Sequence, residues 1–135
     1  MQRPLPLIAA ALWLLSTGPL LADPQLVMVE QPGCVYCERW DEEISEAYPK
    51  TREGQHAPLL RADLRTGPPD GIEYDRRVNF TPTFILVEDG TELARIEGYP
   101  GADFFWGVLS MMLAEHTDYA PDVQSATPVA SEDKG

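Results

Sequence analysis

Cysteine and histidine are scarce in this chain. Its 135 residues include two of each, so a structural zinc site, which takes four ligands, would need all of them. His56 and His116 lie far apart and in no paired spacing, which leaves metal binding a poor reading. Basic residues are also few: ten Lys and Arg stand against 22 Asp and Glu, a formal net charge of −12. That balance argues against nucleic acid or an anionic membrane as partner. It suits solubility and, more weakly, a preference for partners with a basic surface. Long apolar runs are missing too. The stretch Leu5 to Leu15 is too short to span a bilayer comfortably, and Pro19 follows soon after. There are no internal repeats.

That stretch has a different meaning in context. Met1-Gln2-Arg3 is cationic, the apolar run follows, and Leu20-Leu21-Ala22 places a small residue just before Asp23. This layout predicts a secretory signal peptide over residues 1–22, cleaved after Ala22, and hence an exported, periplasmic protein. No cysteine follows closely enough to take a lipid. At the other end, residues 117–135 combine prolines with small polar residues and have no apolar period, so a disordered tail is expected there. The remaining residues, 23–116, suffice for one domain.

Within that domain the elements alternate. Leu26 to Val29 is an apolar strand, and Cys34 to Tyr48 has helical spacing through Trp40 and Ile44 until Pro49 stops it. Pro58 to Leu64 reads as a second strand, and Ile72 to Val78 as a short helix. Thr83 to Val87 is apolar throughout, as in a strand buried on both faces. Glu88-Asp89-Gly90 is a hairpin turn into Thr91 to Glu97. Ala102 to Glu115 lines up Phe105, Val108, Leu109, Met112 and Leu113 on one helical stripe. The order β-α-β-α-β-β-α predicts an α/β fold with a mixed four-stranded sheet flanked by helices.

The two cysteines form Cys34-Val35-Tyr36-Cys37, between the first strand and the first helix. In an oxidising compartment a lone pair often becomes a structural disulfide. A loop this small, however, gains little stability from closure in the chain-entropy description. A helix N-terminus also favours an anionic sulfur, and the two-residue spacing lets the second sulfur attack the first. Reversible electron exchange is the leading reading, with a structural disulfide and half a metal site as rivals. No cation lies between or beside the cysteines, while Glu38, Asp41, Glu42 and Glu43 follow them and would oppose ionisation where solvent does not screen them.

The C-x-x-C after the first strand, together with Thr81-Pro82-Thr83 before the third, resembles the thioredoxin superfamily in its minimal form, from Leu26 to about Leu113. The stretches Val29 to Cys37, Phe80 to Phe84 and Glu97-Gly98-Tyr99 resemble more narrowly the exported thioredoxin-like proteins of bacterial sulfur-oxidation systems, the SoxS and SoxW groups. The resemblance implies a thiol–disulfide oxidoreductase with Cys34 as nucleophile and Cys37 as resolving thiol, needing no cofactor beyond the disulfide and no metal. It implies a cis bond at Thr81-Pro82, with the Thr81 backbone pairing with an extended substrate and the Pro82 ring blocking metal capture. Its implied partners are exported proteins with disulfides or modified thiols, a sulfur-carrier protein among them. A membrane thiol transporter would be the electron donor, and the protein would be a monomer. One departure concerns proton transfer. Met28 stands where thioredoxin has a buried aspartate, leaving Glu30 as the nearest carboxylate for that role or as a solvated residue at a strand end. A non-catalytic binding module, a disulfide isomerase and a copper chaperone are the alternative functions.

Overall fold

The computed structural model describes residues 23–121; the expected signal peptide and the end of the chain beyond Pro121 lie outside the described residues. Four runs rich in apolar residues pair into one sheet. β1 (Gln25–Glu30) lies parallel to β2 (Leu59–Asp63) and antiparallel to β3 (Thr83–Glu88), which continues antiparallel to β4 (Thr91–Glu97). The order is β2-β1-β3-β4, so the two strands buried on both faces occupy the centre. The turn from β3 to β4 holds Asp89 at φ 51° and Gly90 at φ 72°, the two left-handed residues that a tight hairpin requires.

One face of the sheet carries Leu26, Met28, Phe84, Leu86 and Ile96. Against it pack α1 (Val35–Trp40) and α3 (Ala102–His116), the latter through Phe105, Leu109, Met112 and Leu113. Phe105 is the hub, with ring centres 4.9 Å from Phe84 and 5.7 Å from Trp40. Aromatic pairs at such spacing add to what their buried area contributes.

The first helix is shorter and less regular than its sequence suggests. After Trp40 the chain widens into a π-helical stretch, Asp41–Ser45, where Ser45 Oγ donates to the Asp41 carbonyl at 2.6 Å. A serine bonding back to the preceding turn competes with regular helix geometry. A 3-10 turn over Tyr48–Lys50 follows, and then α2 (Arg52–His56), which the sequence reading did not foresee. Thr51 caps α2 by accepting from the Gly54 N–H at 3.0 Å. Gly54 has no room for a side chain, because a Cβ there would lie 1.8 Å from the Tyr48 carbonyl oxygen. Gly54→Ala is therefore expected to destabilise the fold by about 1–3 kcal/mol, measured by thermal unfolding.

The other face of the sheet corrects an expectation. Val27, Val29, Ile85 and Val87 are covered by Leu64, Ile72, Tyr74 and Val78, but Ile72 to Val78 is not a helix. Its backbone groups are taken by the sheet edge instead. The Glu73 N–H donates to the Gly90 carbonyl at 2.8 Å, Glu73 bridges to Thr91, and the Asp75 N–H donates to Glu92 Oε2 at 2.8 Å. Glu92 is itself paired with Arg95 through two 2.6 Å contacts, both side chains almost wholly buried.

The packed chain also runs on past the boundary expected at His116. Tyr119 is buried, its hydroxyl donates to Glu53 Oε1 at 2.9 Å, and its ring lies 5.2 Å from that of His56. Thr117 Oγ1 lies 2.9 Å from His56 Nε2. Residues 117–120 thus close over α2 as part of the domain.

Candidate functional site

The site forms where β1 gives way to α1. Gly33 takes φ 78°, turning the chain so that Cys34 becomes the N-cap of α1, its Sγ accepting from the Cys37 N–H at 3.1 Å. Cys34 and Cys37 are joined in a disulfide. Cys34 is the more accessible, 8% exposed against 4% for Cys37. The helix N-terminus and this N–H supply the field and the hydrogen bond that would stabilise a thiolate at Cys34.

A second loop is tied to the first. Thr81-Pro82 is a cis bond, and Pro82 is buried. The Pro82 carbonyl accepts from the Gly98 N–H at 2.8 Å, and Thr83 Oγ1 donates to the Phe80 carbonyl at 2.8 Å. Gln31, three residues before Cys34, donates from Nε2 to Thr81 Oγ1 at 3.0 Å. This bridge joins the cis-proline loop to the dithiol loop, and no pattern in the sequence singles out Gln31 for it.

Two grooves flank the bridge. One, of about 550 Å³, is lined by Tyr36, Phe80, Thr81, Tyr99 and Pro100. Val35, Tyr36 and Phe80 leave more than half of their surface in solvent there or beside it, at 69%, 57% and 62%. The other, of about 410 Å³, contains both cysteines together with Glu30, Glu38, Asp41, Arg61 and Asp63. Apolar surface beside the disulfide suits a protein or peptide surface better than a small polar molecule.

The charged groove holds a residue that sequence reasoning missed. Arg61 pairs in register with Met28 across the parallel strands. Its Nη1 donates to Glu30 Oε2 at 2.8 Å, its Nη2 bonds Asp41, and its guanidinium lies 5.7 Å from the Trp40 ring centre. Glu30 therefore lines the same groove as Cys37 and is held by an arginine rather than freely solvated. Met28 is fully buried.

The acidic residues of the first helix are largely accounted for. Tyr99 donates from its hydroxyl to Glu43 Oε2 at 2.5 Å and Arg39 donates to Oε1 at 2.8 Å. The Tyr99 bond first, and then that of Arg39, hold the Glu43 carboxyl below the usual range. Burial, together with the same bond, raises the Tyr99 phenol. Asp63 is lowered to about 2 by the Arg65 side chain and backbone N–H. Among the described residues, no cluster of three or more His, Cys, Asp or Glu side chains could hold a metal ion.

Fold and site define a thioredoxin-like protein, and the chain belongs to that family: the thioredoxin-like domain matches residues 20–112. Among solved structures it is 50% identical to the periplasmic thioredoxin SoxS from Paracoccus pantotrophus in its reduced form. That likeness has a TM-score of 0.67 and covers 68% of this chain and 97% of that one. A thioredoxin-fold protein from Helicobacter pylori is 16% identical, with a TM-score of 0.53 over 75% of this chain and 76% of the other. The Malassezia sympodialis thioredoxin Mala s 13 is 13% identical, with a TM-score of 0.50 over 70% and 78%. These two share the fold alone. No curated protein matches the chain.

Proposed function

We propose that this protein is a periplasmic thiol–disulfide oxidoreductase that works as a reductase. The observation that carries the proposal is the Cys34–Cys37 disulfide at the N-cap of α1, tied through Gln31 to the cis-proline loop and flanked by exposed apolar residues. The reduced Cys34 thiolate attacks one sulfur of a substrate disulfide and releases the other as a thiolate. Cys37, deprotonated in turn, attacks Cys34 Sγ, releases the second substrate thiolate and re-forms the Cys34–Cys37 bond. Two electrons pass from the dithiol to the substrate. In this reading Glu30, which lines the groove that also holds Cys37, takes the Cys37 proton. The Thr81 backbone and the Tyr36–Phe80 groove receive the substrate chain.

The reducing direction follows from the charges. Strong oxidants of this kind owe their potential to a stabilised reduced form. Here the groove beside the thiols holds four carboxylates, three of them paired with Arg61 or Arg65, so it offers a thiolate no net positive charge of the kind a cationic site supplies. The half-identical SoxS relative, a periplasmic thioredoxin, supports an exported protein; the sulfur-carrier client and the membrane thiol transporter are what the sequence resemblance implies.

Trapping tests the client. In the native host, Cys37→Ser is expected to accumulate a mixed disulfide through Cys34, and mass spectrometry should identify a sulfur-carrier subunit in it. Recovery of only folding or cytochrome-maturation clients would count against that partner. Absence of any Cys34 adduct, with no insulin reduction by the wild type, would leave a peptide-binding module instead.

A further inference from the structure

We propose that Gln31 is a positioning residue for the substrate chain: it holds the Thr81 docking edge in fixed relation to Cys34 and so favours polypeptide disulfides over small ones. The inference rests on the reductase reading above and deepens it.

Gln31 reaches both parts of the site. Through its backbone it opens the turn Gln31-Pro32-Gly33-Cys34, in which the Cys34 N–H donates to the Gln31 carbonyl at 3.3 Å and Gly33 takes φ 78°. Proline second and a left-handed glycine third are the residues that a type II turn requires. Through its side chain Gln31 donates from Nε2 to Thr81 Oγ1 at 3.0 Å. One residue therefore holds the nucleophile by its carbonyl and the docking edge by its amide.

Thr81 depends on this tie. Its neighbours are bonded inward, the Phe80 carbonyl by Thr83 Oγ1 and the Pro82 carbonyl by the Gly98 N–H. Among the described residues, the hydrogen bonds of Thr81 run only through its hydroxyl, which leaves its backbone N–H and C=O for a client strand. Main-chain pairing of that kind supplies affinity for an extended segment. An edge that must first be ordered loses part of that affinity to conformational entropy. The bridge also lies where a client must pass, since Gln31 lines the charged groove and Thr81 the apolar one. A primary amide has a second N–H and a carbonyl oxygen, so the exposed Gln31 can bond the client chain as well as Thr81.

The test follows the pre-reduced full chain with two oxidants: a peptide disulfide long enough to pair with Thr81, and dithiobis(nitrobenzoate), which has no peptide backbone. Gln31→Met keeps the length of the side chain and loses the amide. It is expected to slow the peptide reaction about fivefold more than the nitrobenzoate reaction, as loss of one hydrogen bond would. Thr81→Val should show the same selective loss, and combining the two should add nothing, because both cut one bond. Thr81→Ser, which keeps the hydroxyl, should retain the wild-type preference. Thermal unfolding checks that each variant is folded, and Gln31→Ala replaces Gln31→Met if that variant is not. Equal slowing with both oxidants, no slowing in Gln31→Met, additive losses in the double variant, or a Thr81→Ser protein that behaves as Thr81→Val overturns the proposal. Failure of the wild type to reduce either oxidant would instead sink the reductase reading, so the two failures are distinguishable.

Discussion

Cys34→Ser is expected to abolish reduction of insulin, whereas Cys37→Ser should attack once and stop. The difference follows from position. Cys34 caps α1 and is the more accessible sulfur; Cys37 lies one turn in, with its N–H directed at Cys34 Sγ. A serine hydroxyl at position 34 has no thiolate with which to open a substrate disulfide. A serine at position 37 leaves the first attack intact but removes the intramolecular release, so the mixed disulfide accumulates. Turnover is expected to fall at least about a thousandfold in both variants, yet only Cys37→Ser should run as a covalent adduct on a non-reducing gel. A Cys34→Ser protein that keeps turning over would remove the assigned nucleophile.

Replacing Glu92 by alanine is expected to have the largest effect on stability, about 3 kcal/mol or more. Both side chains of the Glu92–Arg95 pair are buried, 2% and 4% exposed, and Arg95 also donates to the Arg76 carbonyl at 2.9 Å. Removing the carboxylate leaves the buried guanidinium with only the Arg76 carbonyl and a 3.8 Å contact to Glu97, and frees the Asp75 N–H that anchors residues 72–78. For a domain of this size the melting temperature should fall by roughly 12 °C or more. The double replacement Glu92→Leu with Arg95→Met should recover much of the loss, because two apolar side chains leave no orphaned charge. The pH dependence has a definite sign. Burial pushes the Glu92 carboxyl up, but the Arg95 and Asp75 hydrogen bonds outweigh it and hold the group below its ordinary value. Its contribution is complete above that value, near 4.5, and is lost as the pH falls through the lower folded value. Below about pH 4.5 the stability gap between wild type and Glu92→Ala should therefore narrow. A gap that stays constant down to pH 2 would contradict this.

Where local chemistry decides the structure, the sequence is legible. The unbroken apolar runs at 26–29 and 83–87 are the central strands, Asp89-Gly90 makes the hairpin, and the stripe from Phe105 to Leu113 is the buried side of α3. The C-x-x-C and Thr81-Pro82 were also visible, the first from its setting and the second through family resemblance. What escaped depends on partners distant in the chain. Ile72 to Val78 has apolar residues that a helix could use, yet Ile72 and Tyr74 sit two apart, and the neighbouring backbone bonds Gly90, Thr91 and Glu92. A sheet edge that offers partners outweighs weak helix propensity. Tyr119 looks like part of a polar tail until Glu53 and His56 are folded beneath it. Arg61 carried a faint signal, a lone cation on the strand face shared with Leu59 and Asp63. Only the pairing with β1 and the nearness of α1 give it Glu30 and Asp41. Gln31 gave none, since its partner Thr81 lies fifty residues on.

The central claim is that this dithiol donates electrons, and equilibration of the wild-type protein with glutathione buffers tests it most directly. A helix-capping cysteine in a groove that offers no net positive charge predicts a potential nearer about −270 mV than about −120 mV. A value above about −150 mV would mark a stabilised reduced form and contradict the account.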